Sequence, residues 1–194
     1  YMFYNCENLI SIPITNTFIT SQVKNMEFMF YNCKSLISLS LESFKTELVE
    51  NMEKMFKNCR SLLSLDLSSF KTFNVNDTIG MFDNCVSMTS LVINADNFDL
   101  SLVTNMEKMF HNCNNLTNIN SMFKTRAVEN MNLMFYNCYS LESLNLDNFD
   151  TSLVTNMKYM FANCSKLSEL NINSFNTENV QIMDSMFLNC PAVE

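Results

Sequence analysis

Eight cysteines and a single histidine, His111, are the residues of this 194-residue chain best suited to chemistry. Thiols can pair as disulfides, ligate soft metals or attack carbonyls, and an imidazole can serve as base or ligand. Their spacing argues against each role. The cysteines stand at 6, 33, 59, 85, 113, 138, 164 and 190, in steps of 27, 26, 26, 28, 25, 26 and 26 residues, with no Cys-x-x-Cys pair. One residue type held at one phase of a repeat points its side chains the same way, like the rungs of a ladder. A disulfide needs converging Cβ atoms roughly 3.5–4.5 Å apart, and parallel vectors on coils at least about 4.7 Å apart miss that geometry. The cysteines therefore read as buried free thiols acting as small hydrophobes. His111 occupies a variable position, where other copies have Tyr31, Lys57 or Ala162, and reads as an exposed surface residue. A triad or histidine-rich metal site cannot be assembled around one histidine. There is no glycine-rich phosphate loop or calcium repeat, and nothing in the spacing of acidic residues such as Asp66 and Glu169 singles out a catalytic pair. The expectation is a non-catalytic protein with no cofactor and no metal.

The elements that must position these residues are repeats. Met-Phe-x-Asn-Cys is read at 2–6, 29–33, 55–59, 81–85, 109–113, 134–138, 160–164 and 186–190. A fixed period of this size is the signature of a solenoid in which each repeat packs on its neighbours. Residues 1–194 are thus expected to form a single body of seven full repeats with partial ends, a fragment of a longer array. In the repeat at 44–69, Met52, Met55 and Phe56 follow the i, i+3, i+4 spacing of a helical face, with Asn51 as a capping residue, which predicts a short helix. Asn58, like Asn5, Asn32, Asn84, Asn112, Asn137, Asn163 and Asn189, is placed to take the left-handed conformation that ends it. Leu62, Leu65 and Leu67 then predict a short strand with one buried face. Recurrent phenylalanines (Phe18 through Phe175) and valines (Val23 through Val180) read as core columns, and the methionines as deformable filler on the convex side. Departures concentrate in 73–122: Thr78 in place of Met, Gly80 inside the helical phase, two extra residues near Ala95-Asp96, and one fewer at Asn120-Ser121-Met122. They read as drift.

The full pattern, Met-x-x-Met-Phe-x-Asn-Cys-x-x-Leu-x-x-Leu-x-Leu-x-x-Phe-x-Thr-Ser-x-Val-Thr-Asn, resembles the 26-residue repeat of the BspA-like leucine-rich repeats of bacterial surface proteins, and residues 138–163 keep even Thr151-Ser152-Leu153-Val154-Thr155-Asn156. The resemblance implies an α/β repeat fold, a right-handed curved leucine-rich solenoid with one strand and one helix per repeat. It also implies display at the cell surface or secretion, and adhesion to a protein or glycan of another cell or of the matrix.

Composition bounds the partners. With 12 Lys and Arg against 20 Asp and Glu, a formal charge of −8 disfavours the phosphate contacts that nucleic-acid binding requires. No apolar run approaches the roughly 18 residues of a membrane helix, so no direct membrane insertion is expected in this segment. The sequons at Asn76, Asn115 and Asn163 are expected by chance in so Asn-rich a chain. Binding is argued from shape. The outward residues of the strands form columns, and the candidate concave binding face comprises Ser38, Ser40, Ser64, Asp66, Ser90, Asn118, Ser143, Asn145, Glu169 and Asn171. Tyr4, Tyr31, Tyr136 and Tyr139 mark a rival site on the flank. The alternative to a binding module is a passive spacer that displays another domain.

Overall fold

The computed structural model describes residues 1–15, 17–119 and 123–191. Six short strands recur at one phase of the repeat: β1 (Ser11–Ile12), β2 (Ser38–Leu39), β3 (Ser64–Asp66), β4 (Ser90–Val92), β5 (Ser143–Asn145) and β6 (Glu169–Asn171). They pair in parallel with like phases opposed, as in Ser64↔Ser90, Leu65↔Leu91 and Asp66↔Val92. The alternation that predicts a strand is present as geometry, since Leu65 is buried while Ser64 and Asp66 face outward. A second line of parallel bridges runs through Asn25, Asn51 and Asp77, and through Asn105, Asn130, Asn156 and Ile182.

The helix expected in each repeat is absent among the described residues, and the backbone hydrogen bonds show why. The N–H groups of Met52, Lys54, Phe56 and Asn58 donate to the carbonyls of Asp77, Ile79, Met81 and Asp83 in the next coil, at 2.8 to 2.9 Å. The intervening Met55, Lys57 and Cys59 close tight turns onto Met52, Lys54 and Phe56, at 3.1 to 3.2 Å. A helix of one or two turns would be marginal alone, whereas stacked turns satisfy the same groups between coils. The i, i+3, i+4 spacing marks the inward side of a chain of turns, and Asn51 Oδ1 caps it by accepting from Glu53 N–H at 2.7 Å.

Such a path needs two left-handed residues per coil. One is the asparagine column, with φ of 56 to 65° at all eight positions. The other falls at Phe28, Lys54, Gly80, Lys108, Leu133, Tyr159 and Ser185, where most side chains carry a conformational cost. Gly80, read from sequence as a weak point in a helix, is therefore the best suited member of its column, at φ +57°.

Side chains stack coil on coil through the interior. Phe3, Phe30, Phe56, Phe82, Phe110, Phe135, Phe161 and Phe187 form a continuous column with centroids 5.2 to 5.7 Å apart and planes within 12° of parallel. All eight cysteines are free thiols. From Cys33 to Cys190 each Sγ donates to the carbonyl of the preceding coil's phenylalanine at 2.9 to 3.3 Å. The methionines of the inner repeats sit in the same core; Met52, Met55, Met106, Met109, Met131 and Met134 are fully buried. A buried threonine column adds a polar seam: Thr46 Oγ1 donates to the Lys71 carbonyl at 3.0 Å and accepts from the Lys71 N–H at 2.8 Å. Thr20 and Thr151 make the same clasp on Lys45 and Asn176. The extra residues near Ala95-Asp96 are taken up by a wider turn, in which Phe98 N–H reaches the Asn94 carbonyl four residues back, where Phe70 closes on Leu67 three back. The shortening expected at Asn120-Ser121-Met122 lies outside the described residues.

Candidate binding surface

The parallel register brings the predicted face together. Ser38, Ser64, Ser90, Asn118 and Glu169 are exposed in one column with half-buried Ser143; Ser40, Asp66 and Asn145 are exposed in the next, with half-buried Asn171. Asn118 shares the exposure but lies in a coil without a described strand. The two columns differ chemically. In the second, Asp66 Oδ1 accepts from Ser68 N–H at 2.8 Å, and Asn145 and Asn171 make the same turn-closing bond to Asp147 and Asn173. These side chains are partly committed to reversing the chain after each strand. Hydrogen bonds from the Ser68 hydroxyl and backbone N–H hold the Asp66 carboxyl below its ordinary range. The serine column has no such duty at Ser38, Ser64 or Ser90, so its hydroxyls are the freer donors and acceptors.

The flank behaves differently from expectation at His111. Instead of standing free, the ring lies largely buried, with Nδ1 2.7 Å from Asp83 Oδ1, and Lys57 Nζ is 2.7 Å from Asp83 Oδ2. Asp83 is 3 % exposed. Burial pushes its carboxyl upward, but hydrogen bonds from His111 and Lys57 prevail and hold it below the usual carboxylate range. Position x of Met-Phe-x-Asn-Cys is thus a stacked column in which a Lys–Asp–His bridge joins three coils. Aromatic pairs stand on either side of it: Tyr4 on Tyr31 at 5.0 Å and His111 on Tyr136 at 5.4 Å. Tyr139 lies apart, exposed beyond Cys138. The rival tyrosine site is therefore two separate patches. Among the described residues no three His, Cys, Asp or Glu side chains converge as a metal site.

Sequence reasoning missed one feature of the face. Beside the serine column, one residue earlier in each coil, Ile10, Ile37 and Leu63 are 60, 46 and 50 % exposed. They line a shallow depression with Ser35, Ser61 and Ser87. All three follow directly on the first leucine of the repeat or its equivalent, at a phase that alternation counted back from Leu65 and Leu39 would turn inward, so alternation alone hides their exposure.

A family model described as "Mycoplasma protein of unknown function, DUF285" matches residues 1–92 and 87–194. A leucine-rich repeat protein from Eubacterium ventriosum is similar in structure, with a TM-score of 0.56 and 19 % identity over 91 % of this chain and 43 % of that one. A leucine-rich repeat protein from Bacteroides ovatus matches with a TM-score of 0.36 and 19 % identity over 95 % of this chain and 53 % of that one. A leucine rich cell surface protein from Faecalibacterium prausnitzii matches at 0.31 and 14 % identity, over 87 % and 62 %. The chain therefore spans less than two thirds of each of these proteins. No curated protein matches it.

Proposed function

The chain belongs to the family described as Mycoplasma protein of unknown function, DUF285, and from that membership and its leucine-rich-repeat fold we propose that it is a non-catalytic recognition module of the cell surface. Its partner is a protein or glycan of another cell or of the matrix, engaged through the strand face. The observation that carries this reading is the serine column. Ser38, Ser64 and Ser90 stand exposed at one phase of successive coils, free of the turn-closing bonds that occupy Asp66 and Asn145. A partner laid along the solenoid meets the same small polar group about every 4.8 Å, and many weak identical contacts add to a useful affinity.

The test is Ser38→Arg, Ser64→Arg and Ser90→Arg together, with the labelled chain applied to arrayed glycans and to extracellular-matrix proteins. The parent chain is expected to bind at least one of them, and the triple variant to lose that binding with its melting temperature unchanged. A parent chain that binds none, or a variant that binds equally well, removes the strand face as the site.

A second reading, a spacer that displays another domain, draws support from the phenylalanine column, whose eight rings stack coil on coil and whose six inner members are fully buried.

A further inference from the structure

We propose that the strand face takes its partner through the aliphatic stripe Ile10–Ile37–Leu63, and that the partner segment is an amphipathic protein helix with acidic residues beside its apolar side. This rests on the recognition reading above and narrows it to a class of partner.

The stripe is a line in space. Ile37 N–H donates to the Ile10 carbonyl at 3.0 Å, and Leu63 N–H to the Ile37 carbonyl at 3.2 Å, so neighbouring side chains are one ladder step of about 4.8 Å apart. None of the three fills the core, since the adjacent Leu36 and Leu62 are fully buried there. Later coils place Thr89, Thr117, Glu142 and Ser168 at the same phase, which confines the apolar surface to the earlier coils. Three half-exposed aliphatic side chains in one row are a contiguous patch, not scattered exposure.

The charge around the stripe selects the partner's sign. Lys34 and Arg60 lie three residues upstream of Ile37 and Leu63 in the same coils. Lys34 is paired with Glu7 at 2.7 Å, whereas Arg60 is exposed and makes no ion pair among the described residues. In a chain of formal charge −8 the upstream edge of the stripe carries one net positive charge from Glu7, Lys34 and Arg60, which favours carboxylates opposite that edge, while the exposed Asp66 carboxylate stands at the downstream edge with Oδ1 held by the Ser68 N–H.

The spacing selects the partner's form. Apolar side chains at i, i+4 and i+7 of a helix advance about 5.4 Å per turn, close to the coil step, so each meets one member of the stripe. An extended chain presents same-side residues roughly every 6.6 Å and falls out of step by the third coil. A glycan offers no row of aliphatic groups.

The probe is a fluorophore-labelled synthetic helix of about 18 residues, with Leu at i, i+4 and i+7, a few Glu flanking that row and Ala and Gln elsewhere to keep it helical, compared with its counterpart carrying Lys in place of Glu. Both are titrated against the full chain by fluorescence anisotropy. The acidic helix is expected to bind at least about tenfold more tightly than the basic one. Ile37→Glu with Leu63→Glu is expected to remove that binding, and Arg60→Glu to reverse the preference, with unchanged melting curves showing that each variant is folded. No binding of the acidic helix, or equal binding of both helices, or full binding by the double variant overturns the proposal. If the serine-column triple variant loses its array partner while Ile37→Glu with Leu63→Glu retains it, the helix inference fails and the recognition reading stands; if neither variant changes that binding, both fail.

Discussion

Cys59 Sγ lies 3.2 Å from the carbonyl oxygen of Phe30, to which it donates across the coil boundary. The same carbonyl also accepts from the Cys33 N–H, so each thiol supplies the second bond to a buried oxygen. Cys59→Ala removes that bond and leaves a small void, and is expected to cost about 1–2 kcal/mol, read as a lower urea midpoint at unchanged m-value.

The thiols also predict how stability follows pH. Burial pushes Cys33 from 9.0 up to about 11, and burial likewise raises Cys59, Cys85 and Cys113. A thiol whose folded-state value is raised contributes stability that is full below its unfolded value and is lost as pH rises. The urea midpoint is therefore expected to fall between pH 9 and pH 11, and Cys33→Ala is expected to flatten that fall. A midpoint constant across this window contradicts the ladder of protonated thiols.

Asp83 makes the opposite prediction. Its carboxyl is held low by His111 and Lys57 against the effect of burial, so its contribution is present above the unfolded carboxylate value and lost as pH falls through the carboxylate range. Asp83→Asn is expected to destabilise the chain at pH 7 by about 1–3 kcal/mol and to show a shallower loss of stability between pH 5 and pH 3 than the parent chain, in parallel thermal melts.

Thr78 replaces the methionine of Met26, Met52, Met106, Met131 and Met157, and its buried hydroxyl has no hydrogen-bond partner. An unpartnered buried hydroxyl costs about 1–3 kcal/mol. Thr78→Met restores the column and is expected to raise the melting temperature; a lower value would show that this coil is built around the smaller side chain.

The left-handed column allows a paired exchange. Gly80→Ser is expected to destabilise by about 1 kcal/mol and Ser185→Gly to stabilise by a little less, because both positions have positive φ, +57° and 54°, and only glycine adopts it without steric cost. A hydrogen next to the Lys54 Cγ and Asp83 Cβ becomes a Cβ at 3.4 and 3.5 Å, so packing does not obscure the backbone effect.

How much of this was legible depended on whether a residue's partner lay in its own coil. The strands were readable because Leu65 and Leu67 alternate with Ser64 and Asp66, and the eight asparagines announced their backbone by type. The turns were not. Met52, Met55 and Phe56 imitate a helical face, and the left-handed positions that forbid a helix are filled by Phe28, Lys54, Leu133 and Tyr159, whose types give no hint of positive φ. His111 seemed free because Asp83 is 28 residues away in sequence, and the Thr46 clasp on Lys71 was invisible for the same reason. Of the candidate site, the outward columns were readable from alternation alone, whereas the turn-closing duty of Asp66 and the row formed by Ile37 and Leu63 emerged only from the stacking.

In the turn segments, the N–H groups of Phe3, Phe30, Phe56, Phe82, Phe110, Phe135 and Phe161 all donate toward the following coil, at 2.8 to 3.0 Å. Parallel strands send their bonds in both directions, but here the peptide dipoles add. One side of the solenoid therefore carries an electric polarity along its long axis, with the positive pole facing the later coils, although no helix contributes to it.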